Sequence, residues 1–243
     1  MEKDIKLAIQ LEEEYLNRKV NLHDGTANIY EYLNKAGYDN IDEYNNDAQE
    51  YIITSQDYVV VEEPYINIEL ALPYMQAEKP ALLYAINCGE KYGFVPNSYD
   101  NESLLLQYGY KQIKLGYDNS NGPILSSDGD LRIFIVLNKH PYIDIDNLFF
   151  HKKLKNFLLQ YYDDVKIDNN DILINDKKIC GGIINNYYNS NILIVVFQIN
   201  FIDKYNDIIN ICGKSQKIPG FIDNKLLDAE KIKNEFIKWL HIQ

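Results

Sequence analysis

The chain has 243 residues, 46% of them hydrophobic and 25% charged, which suits a soluble globular protein with room for a sizeable core. Its net charge of −12 leaves no basic surplus to neutralise a phosphate backbone, so no nucleic-acid partner is expected. No apolar run approaches the ~18–20 residues of a membrane span, so no membrane partner is expected either. Cys88, Cys180 and Cys212 are too scattered for a disulfide framework or a cysteine-based metal site. The start, Met1-Glu2-Lys3-Asp4, is acidic where a signal peptide needs a basic region. A cytoplasmic, reduced protein is the expectation. No His is spaced for metal binding, and the acidic clusters Asp144–Asp146 and Asp168–Asp171 lack the glycine and distal Glu of a calcium loop.

Ile5, Ala8, Leu11, Tyr15 and Leu16 recur at helical spacing and predict a helix over 4–18. A second helix runs from about Thr26 to a stop at Gly37, and a third covers Ile41–Ile53. Tyr58–Val61 reads as a strand, and Pro64, Pro73 and Pro80 leave the next stretch unassigned. Strands follow at Ala81–Ile86 and Tyr92–Val95, then a short helix at 101–108 closed by Gly109, and a strand at Lys111–Leu115. Gly122–Ser126 and Leu131–Leu137 look like a hairpin around the Asp128-Gly129 turn signal. Residues 146–161 form an amphipathic helix with Leu148, Phe149, Leu154, Phe157 and Leu158 on one side. Two helices, near 202–212 and 227–241, close the chain.

The most specific stretch lies between these helices. Asn170-Asp171 opens a strand, Asn175-Asp176 makes a two-residue turn, and Lys177-Lys178 starts a second strand that meets Gly181-Gly182. A third strand, Ile192–Phe201, is apolar enough to be buried. A lysine fixed on a strand is a rigid point charge for a carboxylate or phosphate, and glycines beside it let a ligand approach the backbone. The plain alternative is an ordinary hairpin with a solvent-facing lysine.

Over all 31 residues the order resembles the catalytic core of the biotin/lipoate-protein ligase family, in which an Asn-Asp strand, a Lys strand with a following Gly, and a buried strand succeed one another. The resemblance extends upstream through Gly93–Asn97, the helix ending at Gly109, the strand carrying Lys114, and the Ser120–Leu131 loop, with Leu7–Glu13 similar to the family's opening helix. It implies an α+β fold with a mixed, mainly antiparallel sheet formed by strands near 81–86, 92–95, 111–115, 123–137, 165–184 and 192–201. The helices at 101–108 and 146–161 are expected on one face of it. Residues 1–79 would be an N-terminal helical region, with about 20–78 an insertion, and 80–243 the ligase-like catalytic domain.

The same resemblance implies ATP-dependent activation of a small acyl acid (biotin, lipoate or octanoate) and its transfer to a lysine of a carrier-protein domain. Lys178 would be catalytic, holding the carboxylate and the charge that develops on it. Lys114, Gly122, Asn170, Asp171, Gly181 and Gly182 would bind substrate, with Asn170 and Asp171 facing the adenylate or a Mg²⁺ ion. This chain departs from the family's pattern where paired arginines are reduced to Lys114-Leu115, a triple glycine to the single Gly122, and the His of a His-Asp motif to Ser126. Two readings follow: a divergent ligase that forms an acyl-adenylate, or a catalytically degenerate binding or interaction protein on the same fold, of the kind a phage or mobile element encodes. Cys180 stands where the family has a small residue and reads as packed rather than nucleophilic.

Overall fold

The computed structural model describes residues 2–99, 101–116, 123–146, 148–186, 191–212 and 217–242. Gly122 therefore lies outside the described residues. The chain divides into two compact units, 1–56 with 139–146, and 57–138 with 147–243.

The first unit is helical. Asp4 caps α1 (Ile5–Leu16) by accepting from the Leu7 N–H at 3.0 Å, and Asn28 and Asn40 cap α2 (Ile29–Leu33) and α3 (Ile41–Thr54) in the same way. After α2 a single 3₁₀ turn ends on Gly37 at φ +85°, a left-handed stop that favours glycine. The apolar spacing read from the sequence becomes a core of Ala8, Leu11, Tyr15, Tyr32, Leu33, Tyr44, Ala48 and Ile52, closed by Ile143 from the returning segment. The buried tyrosines keep their hydroxyls satisfied, with Tyr44 donating to Glu12 and Tyr38 to Asp47.

The second unit carries two sheets. β1 (Val59–Glu62), β2 (Ala81–Ile86), β6 (Leu131–Asn138), β7 (Val165–Asp168), β8 (Asp171–Ile174), β9 (Lys177–Asn186) and β10 (Ile192–Ile199) form a seven-stranded sheet in the order β1-β2-β6-β10-β9-β8-β7. Only the β1–β2 pair is parallel, and it places 59–62 in this unit. A smaller sheet, β4-β3-β5, is made of β3 (Tyr92–Val95), β4 (Lys111–Lys114) and β5 (Ile124–Ser126). The fold class is thus the expected α+β with mainly antiparallel pairing.

Three expectations need correction. The single sheet is two sheets. The hairpin expected over 122–137 does not form, because β5 pairs with β3 while β6 pairs with β2 and β10. The Asp128-Gly129 turn (Gly129 φ +81°) instead carries the chain from one sheet to the other. Buried Asp130 fixes this crossing by accepting from the Ser127 and Phe201 N–H groups, both at 2.7 Å, and by pairing with buried Lys204. The helices also part company. Leu105 of α5 (Glu102–Gln107) packs with Val95 and Leu125 of the small sheet and with Tyr110 just before β4, whereas α6 (Phe149–Leu158) lies on β7 and β8. The unassigned stretch contains α4 (Ile68–Gln76), capped by Asn67 and holding Pro73 within it. The last helices are α7 (Tyr205–Cys212) and α8 (Ala229–Trp239), and no helix among the described residues is long and apolar enough to cross a membrane.

Candidate functional site

Asn175 and Asp176, at φ 50° and 60°, make the tight turn their sequence calls for, and they set the β8–β9 register. Residues directly opposite across strands share a face of the sheet. Ala85, Arg132, Gln198, Gly181 and Asp171 are successive partners across β2, β6, β10, β9 and β8, so they form one row. Tyr84, Ile133, Phe197 and Gly182 form the neighbouring row on the opposite face. That second face is closed by helices: His151 of α6 meets Phe197 edge-on with ring centroids 4.8 Å apart, and the Phe236 ring of α8 lies 5.7 Å from the same ring.

Strict alternation would point Lys178 to the face of Cys180 and Gly182. A register shift prevents this. Leu173 pairs with Lys178 but Ile172 pairs with Cys180, so Ile179 is the extra residue of a β-bulge. The bulge turns Lys178 onto the first face, where its Nζ sits 2.8 Å from Asp171 Oδ1 and 3.3 Å from where a Cβ on Gly181 would be. A side chain at 181 would crowd the lysine tip. Residues 218–220 lock the bulge, with the Lys178 N–H donating to the Ile218 carbonyl and the Gly220 N–H to the Lys178 carbonyl, both at 2.8 Å.

Asp171 is held from two sides. Lys217 donates to its Oδ2 at 2.8 Å and also pairs with Asp168 at 2.9 Å. Burial lowers the Lys217 pKa, but its hydrogen bonds to Asp171 and Asp168 outweigh this and raise it above the ordinary lysine value. The Lys178 side chain is 36% exposed and that of Asp171 18%, so this group opens to solvent. As a Mg²⁺ ligand Asp171 does not fit, since each of its oxygens already faces an ammonium group. No cluster of three metal-ligating side chains occurs among the described residues. An anionic group suits the lysines better.

Beside Ala85, toward the inner end of the row, stands Arg132, 2% exposed. Its Nε donates to the Ile66 carbonyl at 2.9 Å and its Nη1 to Gln198 Oε1 at 3.2 Å. The guanidinium lies 4.1 Å over the Phe94 ring of the small sheet and 5.2 Å from Phe134. The row therefore runs from between the two sheets, at Arg132, to solvent at Lys178.

The structure brings Lys178, Asp171 and Gly181 together and separates the rest. Gly182 faces the helices, where a Cβ would meet Phe197 Cε1 at 2.5 Å and His151 Nε2 at 2.6 Å; it is a packing glycine, not one that admits a ligand. Asn170 uses its backbone carbonyl, accepting from the Gly182 N–H at 2.8 Å and lying 3.1 Å from His151 Nε2, while its side chain is exposed. Lys114, on β4, donates to the Asn97 and Tyr99 carbonyls at 3.1 and 3.0 Å, so its charge holds a loop of the small sheet. Cys180 is fully buried on the helix-covered face, and burial pushes its thiol pKa up, which removes it as a nucleophile.

Sequence reading missed Arg132, Gln198 and Lys217. For the first two a signal existed. Arg132 is one of only two arginines in the chain, and both it and Gln198 interrupt otherwise apolar strands.

No family model and no curated protein matches the chain. Solved structures do match. The lipoate complex of LipL1 from P. falciparum aligns at TM-score 0.56 and 15% identity over 76% of this chain and 62% of that one. The bipartite lipoate protein ligase of Thermoplasma acidophilum, described with its E2 lipoyl domain, aligns at 0.54 and 15% over 77% of this chain and 84% of that one. ATP-bound lipoate-protein ligase A aligns at 0.51 and 15% over 76% and 85%. The chain has the fold of the lipoate-protein ligases. It spans less than two thirds of the P. falciparum protein, at 62%.

Proposed function

We propose that the protein is a lipoate/biotin-ligase-type enzyme that activates a small acyl acid with ATP and passes the acyl group to a lysine of a carrier domain. The observation that carries this reading is the bulge at Ile179, which sets Lys178 over the bare backbone of Gly181 instead of into the helix-packed face. Matched structures of this fold hold lipoate or ATP, and one is a ligase described with its E2 lipoyl domain; these support the reading.

In this reading Lys178 holds the acid's carboxylate, and Gly181 leaves room for it beside the strand. ATP supplies the phosphorus that the carboxylate oxygen attacks, with pyrophosphate leaving. Lys178 then faces the carbonyl oxygen as the carrier amine displaces AMP, and its fixed ammonium stabilises the negative charge gathered there. Asp171 and Lys217 keep the Lys178 ammonium in place before the acid arrives.

A second reading, a binding protein on the same fold, draws on Lys114, whose charge is committed to two loop carbonyls. ATP–pyrophosphate exchange with octanoate, lipoate and biotin separates the two. Exchange that disappears in Lys178→Ala supports the ligase; acid binding without exchange supports the binding protein.

A further inference from the structure

The row that ends at Lys178 is polar along most of its length, which an acid with a purely alkyl tail does not require. Gln198 is only 7% exposed. Its Oε1 accepts from Arg132 Nη1 at 3.2 Å, and this fixes the amide's orientation, because a flipped amide would set two donors against each other. The Nε2 donor is left with no hydrogen-bond partner among the described residues. A buried donor without an acceptor costs about 1–3 kcal/mol, so its retention calls for a reason. Gln198 is the direct cross-strand neighbour of Gly181, and adjacent strands lie ~4.8 Å apart, so the amide stands about one strand spacing inward of the lysine site. Exposure falls along the row from Lys178 at 36% to Gln198 at 7% and Arg132 at 2%.

We propose that Gln198, oriented by Arg132, is a second recognition point, and that the acid bound here is a short one carrying a second acceptor, a distal carboxylate. Its first carboxylate pairs with Lys178 over Gly181, and its second accepts from Gln198 Nε2 beside the Arg132 guanidinium. Val196 and Phe134, two residues back from Gln198 and on from Arg132 on the same face, make the flank of this second recognition point apolar. Pentanedioate and hexanedioate match the spacing.

The inference rests on the reading of Lys178 as the carboxylate holder, and binding without ATP tests it apart from catalysis. Calorimetry on the full chain compares hexanedioate with hexanoate and octanoate. The diacid is expected to bind roughly 10- to 100-fold tighter than hexanoate, the range for one hydrogen bond to a charged group. Gln198→Leu removes that preference. Gln198→Glu, which keeps the shape and pairs with Arg132, also abolishes diacid binding while the chain stays folded by circular dichroism. Octanoate binding as tightly as the diacid, an unchanged preference in both variants, or no acid binding at all overturns the inference. Diacid binding without pyrophosphate exchange leaves it standing and removes the ligase reading. Lipoate-dependent exchange with no diacid binding does the reverse.

Discussion

The two faces of the large sheet differ in what their neighbouring residues do, and Gly181 and Gly182 show it most simply. On the Gly182 face a missing side chain makes room for protein: Phe197 and His151 fill the space. On the Gly181 face it makes room beside a charge, and the nearest atoms are the flexible end of Lys178 and an Asp171 oxygen. The Gly182 face is covered by α6 and α8; the Gly181 face grades from buried Arg132 to partly exposed Lys178. Identical residues in sequence thus serve packing on one side and access on the other, and the pleat decides which.

That contrast can be broken from either side. The largest effect is expected on Lys178→Ala, which should lower acyl-acid-dependent exchange by about 10²–10³. A partly exposed ion pair is worth only ~0–1 kcal/mol, so urea denaturation should barely move. A chain as active as the parent would place the chemistry elsewhere. Next, Asp130→Ala leaves Lys204 buried without its carboxylate and should cost ~3–5 kcal/mol, because the crossing between sheets loses its anchor. A change below ~1 kcal/mol by denaturant titration would mean that the pair holds nothing.

Gly182→Ala follows, with a cost of ~1–3 kcal/mol from overpacking against Phe197 and His151. Gly181→Ala should change stability by less than ~1 kcal/mol and weaken acid binding instead. Equal stability losses at both positions would erase the distinction between the faces. The smallest effect concerns Tyr84 on the packed face, whose phenol is pushed up to about 12 by burial and by its hydrogen bond to Glu62. A raised folded value adds stability that is fully present below the unfolded value of ~10 and is lost as pH rises through about 12. Tyr84→Phe should flatten that alkaline decline; an unchanged pH profile of stability would contradict it.

Much of this was legible in the sequence, and the reasons are specific. Helical spacing found α1, α3 and α6, while Gly37 and Gly109 marked the stops after α2 and α5 by needing positive φ, observed at 85° and 77°. The Asn175-Asp176 turn carried the β8–β9 hairpin. Pairing partners were harder, since β5 and β6 flank a good turn signal yet join different sheets through Asp130, whose contacts come from residues far along the chain. The direction of Lys178 was not legible by period. Alternation from Cys180 and Gly182 sends it to the wrong face, and only the Ile172/Leu173 register shift corrects it. Gly182 misled for the same reason, because a glycine's neighbour across a sheet is invisible until the register is known.

The most direct measurement is a co-crystal structure of the chain with a hydrolysis-resistant acyl-adenylate analogue. The acyl carbonyl is expected over Gly181, within hydrogen-bond distance of Lys178 Nζ, with Gly182 still packed on Phe197. A ligand bound away from this row, with the Lys178–Asp171 pair undisturbed and untouched, would contradict the account.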